Sequence, residues 1–428
     1  MAWGRRAWVV ALLLGSGAAA DGFTTYKGHG GPIMALAVSP SGQLASASFD
    51  NSVGLWSDGA PTWLEGHAAA VTTLAWGADG RLWSGGDDFA LRVWGDAAAQ
   101  VGTHQNKVTS IAPLPDGTGV LTGSWDGTLR LWPDRGAPQT WPSPGSGVNA
   151  VALTPQADAA IVATSGGKLW RYERGDPVKR LPLADHGFGV NRVALGDGWV
   201  AYGAVDGVTR VVDAVTGTAL ADFTLERRPI LAMAHHADTG QLAVGDGDGY
   251  IMMIDTQNWQ ITRDFRAARE GPVWALAFSL DGSVIHAGGL DDTIYAWPVA
   301  LLDAYDPAID GNQSFLRPPE EMSNGERQFM RKCSICHALD PGPSRKAGPT
   351  LHNVFGRQAG TVPGYSYSDL LASSDIIWTA QTIDALFDLG PDHYIPGSKM
   401  PMQVIAKAQD RTDLIAFLRQ ATSEEDTQ

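Results

Sequence analysis

Three stretches, FDNSVGLW at 49–56, DDFALRVW at 87–94 and WDGTLRLW at 125–132, share one pattern: an aspartate stands six residues before a tryptophan. The tryptophans are Trp56, Trp94 and Trp132, a period of 38 residues. A period of this length means that each copy is one supersecondary unit, able to bury its apolar face only against its neighbours. The pattern continues in weaker form. Asp206 stands six before Val212, Asp248 six before Ile254 and Asp291 six before Trp297, while SGGKLWRY at 165–172 has Gly166 where the aspartate belongs. Seven copies result. Four of them carry a histidine about 27 residues upstream of the terminal position: His29, His67, His104 and His186. With 51 glycines to punctuate turns and 16 tryptophans to fill cores, the chain calls for many short strands. The alternating runs at 33–38 and 273–278 read as central strands.

These GH and WD signatures resemble the WD-repeat family, over roughly residues 23–300. The resemblance implies four-stranded blades of a seven-bladed all-β propeller, with Phe23 to Tyr26 supplying the outer strand of the last blade. It also implies that histidine, turn aspartate and tryptophan brace each blade internally instead of forming an active site. His235-His236, with no third ligand near in sequence, reads as part of a loop. GDGDGY at 245–250 lacks the glutamate of a calcium loop and reads as a turn.

The first twenty residues run from Arg5-Arg6 through an apolar stretch to Ala18-Ala19-Ala20. That order is expected of a secretory signal cleaved after Ala20, because the apolar stretch is too short to span a bilayer. Export of a protein without a later membrane span, to a periplasm, is the corresponding expectation. The formal net charge is −15. Ten Lys and Arg against twelve Asp and Glu lie from residue 322 onward, and Arg5 and Arg6 contribute +2, so residues 21–321 carry −15. Such a surface excludes nucleic acid as a natural partner.

The period stops after Trp297, and a proline- and acid-rich stretch at 301–321 reads as a linker. Ser323 to Glu326 forms a capping box that opens a helix leading into KCSICHALD, which holds the chain's two cysteines, Cys333 and Cys336, with His337 behind them. C-x-x-C-H is the attachment signature of c-type haem; by itself the same spacing also suits a redox dithiol or half a zinc site. The downstream residues decide between them: KAGPTLHNVFGRQAGTVPGYSYSD, IIW at 376–378, YIPGSKM at 394–400 and DLIAFLRQAT at 413–422 closely resemble the class I cytochromes c of the mitochondrial and alphaproteobacterial type.

That resemblance covers 323–422 and implies an all-α domain over 322–428 with one covalent haem c. Cys333 and Cys336 would form the thioethers, and His337 and Met400 the axial iron ligands. Pro349 would accept the free ring N–H of His337, while Arg357, Tyr367 and Trp378 would serve a buried propionate. Gly325, Phe329, Leu414 and Phe417 would form the crossing of first and last helices. Met402 is the rival to Met400; His352 and His393 are weaker candidates. Phe387 and Leu371 depart from the mitochondrial tyrosine and asparagine, and Lys332, Lys346 and Lys399 remain of its basic docking face.

The expected whole is a multidomain chain: leader 1–20, propeller 21–300, linker 301–321 and cytochrome 322–428. Its expected role is single-electron transfer between redox partner proteins, with the propeller as a platform for a protein partner. One alternative is a redox enzyme, as in the quinohaemoprotein dehydrogenases and haem d nitrite reductases, whose propellers are of another sequence family; another is a haem-based sensor. Residues 23–300 show neither an adjacent cysteine pair nor a convincing cofactor ligand.

Overall fold

The computed structural model describes residues 24–302 and 322–422, less residues 58, 96–97, 176, 226, 269–270, 343, 397, 399 and 401–402. The leader, Phe23, nearly all of the linker, Lys399 and Met402 lie outside the described residues.

Residues 24–298 form seven four-stranded antiparallel sheets. Strand order within a blade follows the chain, as in Ile33–Val38, Leu44–Ser48, Ser52–Ser57 and Ala60–Glu65. The seventh blade is the exception. Its outer strand is Thr24–Lys27, which pairs with Thr293–Pro298, Thr24 opposite Ala296 and Lys27 opposite Thr293. The start of the repeat region thus closes the ring and covers the last strand's edge.

Second strands are buried along their whole length in blades 1 to 5, as at Leu44–Ser48, Gly119–Ser124 and Trp199–Ala204, and in all but the first residue in blades 6 and 7. Burial on both faces favours continuous small and apolar residues over alternation. A recurrent socket explains why so many are glycine. A Cβ added at Gly85, Gly123, Gly203, Gly245 or Gly288 would come within 2.3–2.7 Å of Val108, Val148, Ile230, Val273 or Ile33, respectively. Each of those β-branched residues begins, or stands within, the next blade's innermost strand, and Ile33 in the Gly288 socket carries the interlock across the point of closure. A register shift directly follows each of the seven innermost-strand starts, as between Ile33 and Ala35 and between Val273 and Ala275. Such a bulge adds local twist and re-aims the side chains that precede it.

The repeated polar residues serve as braces. In blade 1 the Ser46 hydroxyl lies 2.7 Å from His29 Nε2 and accepts the Trp56 indole N–H at 2.8 Å, while His29 Nδ1 stands 2.9 Å from Asp50. Blades 2 and 3 repeat this with Ser84, His67, Asp88 and Trp94, and with Thr122, His104, Asp126 and Trp132. Every buried polar group in the set finds a partner, without which each would cost about 1–3 kcal/mol.

The weaker copies substitute other chemistry. In blade 4 the fully buried Tyr172 stacks on Trp141 and donates its hydroxyl to Pro142 O at 2.8 Å. Blade 6 corrects the six-residue spacing: Asp246, not Asp248, is the buried carboxylate, held by Arg227 Nη1 at 2.7 Å. Asp248 lies out on the turn, 3.5 Å from Arg228. His235 and His236 lie not in a loop but at the end of the strand Ile230–His236, paired with Leu242 and Gln241, and their rings stand 2.9 Å from Leu195 O and Thr239 Oγ1, respectively. Among the described residues no group of three or more His, Cys, Asp or Glu could hold a metal ion, and no helix is long and apolar enough to cross a membrane.

The C-terminal module contains α1 (Asn324–Lys332), α2 (Asp369–Ala372), α3 (Ala380–Leu389), α4 (Pro391–Tyr394) and α5 (Ala408–Thr422), with one isolated bridge between Gln358 and Ile377. Ser323 caps α1 by accepting the Glu326 N–H. α1 and α5 cross where Gly325 has no side chain: a Cβ there would lie 2.0 Å from Asp413 O. Phe329 and Phe417 pack beside the crossing with ring centroids 5.5 Å apart, and Leu414 is fully buried. Arg411 ties α5 to α3 through Asp384 at 2.8 Å and Asp388 at 2.9 Å.

Gly288→Val tests the ring interlock. Overpacking the socket against Ile33 is expected to cost about 1–3 kcal/mol, read as a lower urea midpoint with unchanged m-value. An unchanged midpoint would show that the closure does not depend on this contact.

Candidate functional site

The last turn of α1 sets the first two groups. Cys333 caps the helix, its N–H donating to Phe329 O at 2.8 Å, and the chain then turns tightly, with the N–H groups of Cys336 and His337 both donating to Cys333 O. The two sulfurs and the imidazole thereby face one space. Pro349 O stands 2.7 Å from His337 Nδ1. A carbonyl only accepts, so Nδ1 carries the hydrogen and Nε2 keeps the lone pair that a metal would need. Gly348 makes the close approach possible, since a Cβ there would lie 2.5 Å from His337 Cε1. Its own N–H donates to Cys336 O at 2.7 Å, and Tyr365 donates to Ala347 O at 2.6 Å.

Burial controls the electrostatics. It pushes the Cys333 thiol up to about 12 and raises that of Cys336, so both sulfurs are protonated at neutral pH. A redox dithiol needs the opposite shift. Burial also lowers the pKa of His337, against the Pro349 hydrogen bond, and keeps the ring neutral. Burial likewise lowers that of Arg357. Its guanidinium donates to His352 O at 2.6 Å and Thr350 O at 2.7 Å, and the backbones of Arg357 and Trp378 pair at 2.9 Å.

These groups enclose a cavity of 1100 Å³. That is just above the range of about 300–1,000 Å³ usual for small-molecule and cofactor sites. Cys333, Cys336, His337, Pro349, Arg357, Tyr367, Trp378 and Met400 all line it, so residues spread over 68 positions of sequence meet in one place. Phe387 and Leu371, the two apolar departures, line it as well. Met400 is positioned by Ser398, whose hydroxyl accepts the Met400 N–H at 3.1 Å. His352 and His393 are not on the wall; His393 is exposed and pairs with Asp392. Two thiols, a neutral imidazole with its tautomer fixed, a thioether and the half-buried guanidinium of Arg357 fit a covalently held haem.

Sequence reasoning missed one part of the wall. Residues 49–52 and 65–70 of the propeller, with Asp87, also line the cavity. Several of them, Asp50, His67 and Asp87 among these, belong to the repeat signatures, which mark blade bracing and carry no signal of a second module.

Fold and site together define a haem-binding electron-transfer module joined to a protein-interaction propeller. The cytochrome c family profile matches residues 322–422, and that of the WD domain, G-beta repeat, matches 23–57, 61–95, 98–133 and 259–298. Cytochrome c of Sesamum indicum is 46% identical over 108 residues, 25% of this chain and 95% of that protein. The cytochrome c of Ginkgo biloba is 44% identical over the same shares, and that of Cochliobolus lunatus 41% over 102 residues, 24% of this chain and 94% of that protein. Through its C-terminal quarter the chain belongs to the cytochrome c family, and its cofactor is covalently bound haem c.

Replacing Cys333 and Cys336 together by Ala is expected to abolish haem that survives denaturing electrophoresis and peroxidase staining. Retention of the stain would mean that the attachment lies elsewhere.

Proposed function

We propose that the chain is an exported periplasmic electron carrier in which an all-α class I cytochrome, residues 322–428, follows a linker at 301–321 and a propeller at 21–300, with residues 1–20 removed on export. His337 and Met400 would hold the iron, Cys333 and Cys336 would carry the thioether links, and Pro349, Arg357, Tyr367 and Trp378 would support the group. Haem supplies a one-electron iron couple. The protein's part is to fix its surroundings. Pro349 holds the His337 ring by accepting from Nδ1, Arg357 offers fixed positive charge to a propionate, and Phe387, Leu371, Ile383 and Leu418 exclude water. With His337 and Met400 both holding the iron, the chain would leave it no position for substrate, which suits outer-sphere transfer between a donor and an acceptor protein. The propeller serves as the platform for a protein partner.

The observation that carries this reading is the cavity on whose wall a neutral, oriented His337 and the thioether of Met400 both lie. Met400→Ala is expected to remove the methionine-to-iron charge-transfer band of the oxidised protein while the haem stays attached. A surviving band would assign the ligand to Met402. For export, the mature protein is expected to begin near Asp21 by N-terminal sequencing of periplasmic material; a protein still carrying residues 1–20 would refute this part.

A further inference from the structure

The propeller's share of the haem cavity comes from a specific contact. Between Cys336 and Pro349 the haem module presents Arg345 and Lys346 to blade 1. Arg345 lays its guanidinium 4.1 Å from the centre of the Trp63 ring, with Nη2 3.2 Å from Glu65 Oε1 and Nε 4.0 Å from Asp50 Oδ2. The backbones themselves meet. A Cβ added at Gly30 would lie 2.3 Å from the Arg345 carbonyl carbon and 2.7 Å from Lys346 N. Lys346 is buried enough to lower its pKa, with Asp292 of blade 7 and Asp50 of blade 1 acting against that shift. Two cations thus meet a strongly acidic module, and one of them stacks on an aromatic face, the arrangement in which Arg is hardest to replace.

We propose that the rim of blades 7, 1 and 2 is the docking surface for the chain's own haem module, closing the haem cavity on its Cys336 side, so that electron exchange through that side requires the two modules to part. The proposal rests on the electron-carrier reading only in placing haem in the cavity; the contact itself does not depend on it. A redox partner approaching this side competes with blade 1, and salt, which weakens the charge attraction, favours the open form.

Gly30→Val in the full-length holoprotein separates the modules without altering a charge or any cytochrome residue. Gly30 does not occupy the left-handed region, and the three nearest atoms to an added carbon all belong to Arg345 and Lys346. Small-angle scattering and hydrogen exchange at residues 48–52, 65–70 and 344–348 report opening directly. The rate at which hexacyanoferrate(III) oxidises the ferrous protein reports access. Expected for the variant are a larger radius of gyration, faster exchange in those three segments, and oxidation about tenfold faster, equivalent to about 1.4 kcal/mol. Wild type should approach the same values near 1 M salt, where the Debye length is about 3 Å.

Unchanged scattering, exchange and rate would overturn the proposal. Should Gly30→Val misfold, the charge exchange decides: Arg345→Glu opens the protein and Arg345→Glu with Glu65→Arg restores closure, whereas identical behaviour of the two variants refutes docking. The methionine-to-iron band is recorded throughout. Its absence in wild type would sink the electron-carrier reading while scattering and exchange still judged the contact.

Discussion

Everything in the N-terminal module depends on one pairing, Thr24–Lys27 against Thr293–Pro298. Blade units cannot bury their faces alone, and a linear array would leave two open flanks. Closing the array removes both at once. The pairing joins segments about 270 residues apart, so it cannot form before the last blade exists. Loop-closure entropy grows only logarithmically with length, so the distance is tolerable thermodynamically, though such long-range contacts slow folding. The Gly288 socket for Ile33 supports the same joint from the inner side.

The haem module reaches its order differently. Its helices are short, and much of the site lies on turns and extended chain between them. These are held by specific bonds, Gly348 to Cys336, Tyr365 to Ala347 and Arg357 to Thr350 and His352. Two glycines, at 325 and 348, mark where backbone and ring come too close for any side chain. The α1–α5 crossing fixes Cys333, and the turn after it aims Cys336 and His337.

Much of this was legible because its signals are local and repeated. The 38-residue period and the aspartate-to-tryptophan spacing revealed the blades, and the long similarity from Cys333 to Met400 marked the wall of the cavity. The six-residue rule failed in blade 6 because Arg227 replaces histidine as the donor and reaches the carboxylate two residues earlier, at Asp246. Blade 4 kept no polar rule at all, substituting a Tyr172–Trp141 stack. The sockets at Gly85, Gly123, Gly203, Gly245 and Gly288 do recur in the sequence, but their partners lie one blade further on, a relation that only the closed ring makes visible. The seating of Arg345 on Trp63 left no sequence signal, since neither residue belongs to a motif.

Asp50 belongs to both worlds. Its carboxylate, fully buried, takes His29, the Gly30 N–H at 2.8 Å and Ser52, and the same oxygen that serves His29 faces Arg345. Asp88 and Asp126 do the equivalent bracing in blades 2 and 3. The three repeats that share this brace therefore form a set of internal controls: a lesion at Asp88 or Asp126 reports on blade integrity, whereas one at Asp50 confounds blade integrity with the joint between modules. In blade 1, the brace of the fold and the contact between modules act through a single side chain.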